Sequence, residues 1–142
     1  MYNILLLSHG GFASGLEDTM NMIMGKQNDV EFISFLPTES MEVFQAKVEN
    51  IFNKIPKERG VLILSDLFGG TPHNVATKIM LNNLERVEVL SGVNLPLLIS
   101  AVSRKNEELK QCTEELIDEY HNALIRTSNK IVDYEENEEE EN

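Results

Sequence analysis

Short apolar runs and amphipathic stretches alternate along most of the chain. Four runs have the length of strands that are buried on both faces; they cover residues 3–8, 30–35, 61–65 and 86–90. Between and after these runs, apolar residues recur at three- and four-residue spacing, as expected of helices that bury one face. Strands that alternate with helices predict βαβ units. We therefore expect an α/β fold, doubly wound, with a mainly parallel four-stranded sheet that has helices on both faces.

Polar and small residues mark where several of these helices begin and end. Ser14 and Glu17 form a capping-box pattern that predicts the start of the first helix, and Gly25 stands where that helix would end. Thr71 and Pro72 predict the N-cap and the first residue of the third helix. The last amphipathic helix carries one apolar stripe, which consists of Leu109, Cys112, Leu116, Tyr120 and Leu124.

The chain of 142 residues suits one domain with its own core, followed by an acidic end. Residues 133–142 contain seven acidic side chains and no basic one, in a chain whose net charge is −12. Such a segment has no apolar face to bury and is expected to be disordered. We therefore expect one domain over residues 1–128 and an acidic, disordered tail over residues 129–142.

Composition excludes several classes of protein. No apolar stretch approaches the ~20 residues that a membrane span requires, and the first residues lack the basic region and the cleavage site of a secretory signal. Cys112, the single cysteine, cannot form an intrachain disulfide, which fits a reducing compartment. The acid excess is the opposite of what a nucleic-acid-binding surface needs. We expect a cytoplasmic protein that neither binds nucleic acid nor inserts into a membrane.

Two strands end in the same way, with a polar side chain that suits chemistry. His9 follows the run of residues 4–8, and Asp66 follows the similar run of residues 61–65. In an open α/β sheet, ligands bind beyond the carboxyl ends of the strands, where the strand order reverses. If the strand order is 2-1-3-4, His9 and Asp66 meet there at the same height. A carboxylate that accepts from one imidazole nitrogen leaves the other nitrogen free as a nucleophile.

The glycines beside these two residues suit a phosphate group. Gly10 and Gly11 allow close approach of the backbone, and the helix that follows presents free amides and the positive end of its dipole. Gly70 and Thr71 supply a second glycine turn into a helix, with a hydroxyl group for a phosphate oxygen. The sequence contains no GxxxxGK[ST], HExxH or GxSxG pattern, and no GxGxxG follows the first strand. We therefore predict a phosphate site that is neither a P-loop nor a dinucleotide site.

Three other reactive side chains have structural interpretations. Cys112 lies in the apolar stripe of the last helix, which is typical of a packing residue. His121 neighbours Tyr120 on the same helix and is expected at the surface. His73 lies at the start of the third helix, where we interpret it as a bystander; the open alternative is that it borders the site.

Three motifs resemble those of one protein family. They are SHG at residues 8–10, SDLFGGTP at residues 65–72 and GVNLP at residues 92–96. Together they are similar to the IIA subunit of the mannose family of the bacterial phosphoenolpyruvate-dependent sugar phosphotransferase system. The resemblance covers residues 1–103 in register and extends more loosely to about residue 128.

The resemblance implies a phosphotransferase that works as a phosphohistidine relay. His9 would accept a phosphoryl group from the phosphocarrier protein HPr and pass it to a IIB subunit, with the membrane subunits IIC and IID acting later in sugar uptake. Asp66 would hold the second imidazole nitrogen. Thr71 and nearby backbone amides, with Gly10, Gly11 and Gly70 around them, would hold the phosphoryl group. No metal or cofactor is required, because the donor is already an activated phosphoramidate.

The resemblance also implies a homodimer. Family members share a four-stranded parallel sheet and exchange an antiparallel strand with the sheet of the partner. The usual glycines of this segment are absent from residues 121–129, and residues 124–127 are the expected exchanged strand. Many relatives continue into a IIB domain, so we expect IIB to be a separate polypeptide here.

Apolar side chains on the loops near the predicted site are candidates for partner binding. We favour Phe12 and Phe68, the second because it lies in a glycine loop. Val93 and Leu95 lie at the same end of the sheet, and capping of the core explains them equally well.

Two alternative functions remain open from the sequence. One is the phosphotransfer subunit of a dihydroxyacetone kinase, whose first domain resembles this family; GGTPHN at residues 69–74 favours the sugar branch instead. The other is a non-catalytic sensor domain, whose histidine is phosphorylated only to regulate transcription. Neighbouring genes for IIB, IIC and IID would distinguish these functions.

Overall fold

The computed structural model describes residues 1–141, and the side chains of all of them except 132–134 and 141. Four parallel strands form one sheet in the order β2-β1-β3-β4. They are β1 (Tyr2–His9), β2 (Val30–Phe35), β3 (Gly60–Ser65) and β4 (Val87–Ser91). The predicted α/β fold and strand order are confirmed, and every strand boundary lies within one residue of its prediction.

Helices cover both faces of this sheet. They are α1 (Phe12–Met24), α2 (Met41–Asn53), α3 (Thr71–Leu81), α4 (Leu95–Ser103), α5 (Leu109–His121) and α6 (Thr127–Glu141). Buried side chains of α1, α4 and α5 pack on one face, and those of α2 and α3 pack on the other. Within residues 1–141, no helix combines the length and the apolarity needed to cross a bilayer.

The central strand β1 is buried on both faces, which explains its continuous apolar run. Ile4 and Leu6 belong to the core beneath α1, α4 and α5, whereas Leu5 and Leu7 belong to the core beneath α2 and α3. All four side chains are fully buried. Each such burial contributes about 1.5–3 kcal/mol. The carboxyl end of β1 is therefore held firmly between two cores.

The ends of β1 and β3 are offset by one residue. Leu7 pairs with Ser65, so Asp66 follows at the level of Ser8 and His9 lies one residue further along. The equal heights expected from the sequence are therefore wrong by one position. The side chain of Asp66 spans the offset, because its Oδ2 accepts from the backbone N–H of His9 at 2.9 Å.

The first helix begins before the residue that the capping-box pattern predicts. α1 begins at Phe12 with Gly11 as its N-cap, and the hydroxyl of Ser14 donates to the Gly11 carbonyl. The capping oxygen comes instead from the preceding strand, because the Ser8 hydroxyl accepts from the Ala13 N–H at 2.7 Å. A local pattern could not show this cap, since its acceptor lies five residues upstream.

The boundaries of α3 and the end of α1 are closer to prediction. Gly70 is the N-cap of α3, so Thr71 and Pro72 lie one position further into the helix than expected. Pro72 is tolerated there because the first turn of a helix does not need its N–H. Gly25 ends α1 as predicted, with a positive φ of 75° that favours glycine.

The C-terminal region differs most from the sequence prediction. α5 ends at His121, so Leu124 leaves the apolar stripe and is 95% exposed. In this single chain, residues 124–127 form the loop before α6 and its first residue rather than a strand. The expected disordered tail is a helix through residue 141, because glutamate is a strong helix former whose charge stays in water. The domain boundary at residue 128 stays a prediction, and residue 142 lies outside the described residues.

Candidate active site

His9 and Asp66 form a hydrogen-bonded pair at the carboxyl ends of β1 and β3. The imidazole Nδ1 lies 2.8 Å from Asp66 Oδ2, which also accepts from the His9 backbone N–H. A carboxylate acceptor requires a proton on Nδ1, so the lone pair of the neutral ring lies on Nε2. The His9 side chain is 47% exposed. The structure therefore brings the two predicted residues together and leaves Nε2 as the available nucleophile.

Asp66 is largely shielded from water although its partner is exposed. Its side chain is only 15% exposed. Oδ2 accepts both hydrogen bonds from His9, and Oδ1 is buried without a donor among residues 1–141. A buried acceptor without a hydrogen bond costs about 1–3 kcal/mol. Such a group in a native structure needs an explanation, and a functional role is one. A shielded carboxylate stabilises positive charge on the neighbouring ring more strongly than an exposed one.

Phe35 supports the imidazole from the other neighbouring strand. It pairs with His9 in the β1–β2 register, and the two rings lie 6.0 Å apart in an edge-to-face arrangement. Its carbonyl also accepts from the Gly10 N–H at 2.8 Å, while Gly10 turns the chain with a φ of 51°. Sequence reasoning missed Phe35, although the predicted strand order places the end of β2 beside His9.

The N–H of Gly10 is therefore engaged by Phe35, and the phosphate-binding role predicted for Gly10 stays a prediction. At the start of α1, the N–H groups of Gly11 and Phe12 have no acceptor among the described residues. The first N–H groups of a helix and its dipole attract an anion. The N–H groups of Gly11 and Phe12 are therefore available to an anion at this end of the sheet.

Gly70 lies directly against the imidazole of His9. A Cβ on Gly70 would stand 2.7 Å from His9 Cε1 and 3.3 Å from Nε2. The Gly70 N–H donates to the Leu67 carbonyl, so the amide closes a turn and is not free for a ligand. The next residue, Thr71, has neither an acceptor for its N–H nor a hydroxyl partner within the described chain. Gly70 therefore leaves space beside Nε2, and Thr71 has donors that no described residue occupies.

Exposed apolar side chains lie on the loops and helix starts that carry the site. Phe12 is 46% exposed and Phe68 is 78% exposed, which fits the prediction of a contact surface. Leu67, beside Phe68, is 62% exposed and was not among the predicted contact residues. Val93 is buried and Leu95 packs against the core, so the core-capping interpretation holds for these two residues.

The remaining reactive side chains lie as follows. Cys112 is buried and its Sγ lies 3.2 Å from the Tyr2 hydroxyl, which makes it a packing residue; burial raises the pKa of this thiol. His121 is exposed at the end of α5, as predicted. His73 lies beside the glycine loop of the site, where its Nδ1 accepts from the Gly69 N–H at 3.1 Å.

The fold and the pair define an α/β protein with an accessible histidine–carboxylate site at the switch point of a parallel sheet. The family described as PTS system fructose IIA component matches residues 3–117. The chain is 33% identical over 117 residues to the fructose-specific EIIA component of Bacillus subtilis, a match that covers 82% of this chain and 80% of that protein. It is 34% identical over 105 residues to the mannose-specific EIIAB component of Escherichia coli, which covers 74% of this chain but 32% of that longer protein.

A solved structure agrees with these relatives. The crystal structure of the phosphotransferase system component EIIA from Streptococcus agalactiae superposes with a TM-score of 0.83 at 27% identity, over 91% of this chain and 99% of that one. The chain therefore belongs to the mannose family of EIIA components of the sugar phosphotransferase system. It is a phosphotransferase component that relays phosphoryl groups in sugar uptake. The sugar-branch interpretation of the sequence is confirmed over the two alternatives.

Proposed function

We propose that His9 carries the phosphoryl group and that Nε2 is the attacking atom. The observation that carries this proposal is the 2.8 Å contact between His9 Nδ1 and Asp66 Oδ2, which occupies one ring nitrogen and leaves the other exposed. A strand-end histidine held in one tautomer needs no rearrangement before it attacks. The fixed position of the ring therefore supplies orientation in advance.

The transfer forms one P–N bond and breaks another. The lone pair of His9 Nε2 attacks phosphorus in line with the bond to the phosphohistidine of the donor, and the electrons of that bond return to the nitrogen of the donor ring. Positive charge develops on the His9 ring as the new bond forms. Asp66 stabilises this charge through Nδ1–H without accepting the proton.

The donors for the phosphoryl oxygens come from two helix starts. Gly11 and Phe12 offer N–H groups at α1, and Thr71 offers its N–H and hydroxyl at α3. Their dipoles are in place before the phosphoryl group arrives, so they stabilise its charge with little reorganisation. Gly70 keeps the space beside Nε2 open.

The donor in this proposal is phospho-HPr and the acceptor is a IIB subunit, both met in the cytoplasm. Curated relatives are fructose-, mannose- and sorbose-specific components by name, so one fold serves different sugars. This supports a site that contacts phosphohistidine rather than sugar. The exposed rings of Phe12 and Phe68 suit both partners, because each must reach the same Nε2 in turn.

A second copy of the chain completes the proposed assembly. β4 is an edge strand of the described sheet, and an apolar cavity beside it is lined by Val89, Leu90, Leu97, Ile117 and Tyr120. Leu124 and Ile125 follow on the chain and are mostly exposed. An open strand edge beside exposed apolar side chains is normally covered or paired. We place the dimer contact, with the strand exchange that the family resemblance implies, on this edge.

Phosphorylation of the purified protein tests the role of His9. The chain is incubated with phosphoenolpyruvate, enzyme I and HPr, and acid-labile phosphate is counted. His9→Ala is expected to take up none, whereas His121→Ala, which changes an exposed histidine at the end of α5, takes up as much as the native chain. Label that persists in His9→Ala would overturn the assignment.

A further inference from the structure

The loop between β3 and α3 contains a turn in which the Gly69 N–H has no partner within the turn itself. The Gly70 N–H donates to the Leu67 carbonyl at 3.2 Å, and Gly69 has a φ of 83°. This pattern is that of a type II turn, which requires a positive φ at its third residue. The turn itself supplies no acceptor for the Gly69 N–H. Gly69 is exposed, so its N–H can bond either to water or to a group that the fold holds beside it.

The first turn of α3 supplies the missing partner. His73 Nδ1 accepts from the Gly69 N–H at 3.1 Å. On the other side of the same residue, the Asn74 side-chain amide donates to the Gly69 carbonyl at 3.2 Å. The Asn74 backbone N–H donates to the Gly70 carbonyl at 2.9 Å. His73 and Asn74, two consecutive residues of α3, therefore bind the turn through its Gly69 N–H and through the carbonyl groups of Gly69 and Gly70.

This turn carries two groups that the transfer reaction uses. Gly70 lies against the His9 imidazole, where even a methyl group would come within 2.7 Å of the ring. Phe68 is 78% exposed, and its ring centroid lies 4.6 Å from that of His73. A displacement of the turn would change both the space beside Nε2 and the position of Phe68.

We propose that His73 is a positioning residue for phosphoryl transfer, which orders the turn of residues 67–70 through its acceptor nitrogen and supports Phe68 with its ring. The acceptor role requires a neutral ring with its proton on Nε2. A protonated ring has no acceptor and would release the Gly69 N–H, and with it the turn, from α3. The inference rests on the proposed role of His9, since the turn matters to transfer only through that residue.

Two variants of His73 separate the effect of its acceptor nitrogen from the effect of its aromatic ring. His73→Phe keeps an aromatic surface for Phe68 but has no acceptor, whereas His73→Asn keeps an acceptor oxygen near the position of Nδ1 and loses the ring. Amide hydrogen exchange at Gly69 is measured by NMR on the full chain. Transfer from phospho-HPr is followed at varied donor concentration, and thermal melting verifies that each variant is folded.

We expect His73→Phe to raise the exchange rate of the Gly69 amide about tenfold, as for loss of one ordinary hydrogen bond. Its maximal transfer rate falls severalfold, while the melting temperature changes little. His73→Asn restores slow exchange and most of the maximal rate, but raises the donor concentration needed for half the rate, because Phe68 has lost its support.

Unchanged Gly69 exchange and transfer in His73→Phe would overturn the proposal, as would equal loss of transfer rate in both variants. The exchange measurement needs no phosphoryl transfer. If His9 fails to accept phosphate, the exchange rate of the Gly69 amide still shows whether His73 orders the turn. That failure would count against the proposed function instead.

Discussion

Gly70 lies so close to His9 that a side chain at position 70 would displace the imidazole from its observed position. A Cβ at Gly70 would stand 2.7 Å from His9 Cε1, closer than carbon atoms approach one another without displacement. The φ of Gly70 is −74°, so the backbone itself would accept alanine. The requirement for glycine comes from the imidazole rather than from the conformation of the chain.

Gly70→Ala is therefore expected to impair transfer more than folding. The methyl group forces the imidazole to rotate, which breaks the bond between His9 Nδ1 and Asp66 and misdirects Nε2. Misplacement of a reacting group by about 1 Å can cost about 100-fold in rate. The initial rate of phosphate uptake from phospho-HPr measures the effect. Gly15→Ala is the matched control, because nothing lies within 4 Å of a Cβ at Gly15 and α1 gains about 0.5–1 kcal/mol of stability.

Asp66→Asn should slow phosphoryl uptake while the fold persists. The amide retains the shape of the side chain but cannot stabilise the positive ring, and it can favour the wrong tautomer by donating to Nδ1. The comparable change in a serine-protease triad lowers the rate by about 10⁴-fold, which is the upper limit here. Single-turnover transfer from phospho-HPr is the measurement, with circular dichroism to verify folding. A native transfer rate in the variant would remove Asp66 from the mechanism.

Ser8→Ala should destabilise the protein, although no role in the proposed transfer is assigned to Ser8. The buried hydroxyl accepts from the Ala13 N–H at 2.7 Å and so caps α1 from the preceding strand. Loss of a capping oxygen costs about 1 kcal/mol. Urea unfolding measures the change in the free energy of unfolding. Ser14→Ala is the control, because Ser14 is exposed and its loss should stay within about 0.5 kcal/mol. A larger cost for Ser14 would favour the capping box over the observed cap.

Stability should decrease as the pH rises into the alkaline range. Burial raises the pKa of the Tyr2 hydroxyl, and the hydrogen bond with Cys112 raises it further; burial likewise raises the pKa of the Cys112 thiol. The unfolded chain loses these protons near the ordinary values of about 8.5 for Cys and 10 for Tyr, while the native chain keeps them. The native state then binds more protons than the unfolded state, so the free energy of unfolding falls with rising pH.

Tyr2→Phe tests whether the Tyr2 hydroxyl causes this loss of stability at alkaline pH. The variant is expected to be less stable at neutral pH, because it loses the hydrogen bond from the Tyr2 hydroxyl to the Ala101 carbonyl at 2.8 Å. Above about pH 10, its stability should fall less steeply than that of the native chain. Parallel pH profiles for Tyr2→Phe and the native chain would contradict the prediction.

The chain should be a dimer in solution, held at the β4 edge and the segment after α5. Leu124→Glu places a charge on a side chain that is 95% exposed in the single chain and is expected to be buried in the dimer. Light scattering at micromolar concentration should show the native dimer and a monomeric variant. Met22→Glu changes an equally exposed methionine on α1 and should leave the dimer intact. If the native chain is a monomer, the proposed dimer is wrong, whereas the proposed chemistry of His9 is unaffected.

Local patterns in the sequence were sufficient for the four strands and for the pair of His9 and Asp66. The strands were predictable because β1 and β3 are buried on both faces, which requires continuous apolar runs. His9 and Asp66 were predictable because the carboxyl ends of neighbouring parallel strands meet at one edge of a sheet. The end of α1 at Gly25 was equally predictable, because glycine is strongly preferred where φ is positive.

Only the tertiary structure decided how the groups around this pair divide their roles. The Gly10 amide is bound by Phe35, the Gly69 N–H by His73, and the space beside Nε2 is set by Gly70. The α6 helix also escaped prediction, because charge content was taken as a sign of disorder. Which donors stay free depends on the distance and angle between side chains on different strands and helices. Hydrophobic periodicity determines which face of an element is buried, but it does not determine how those elements are positioned to within an ångström.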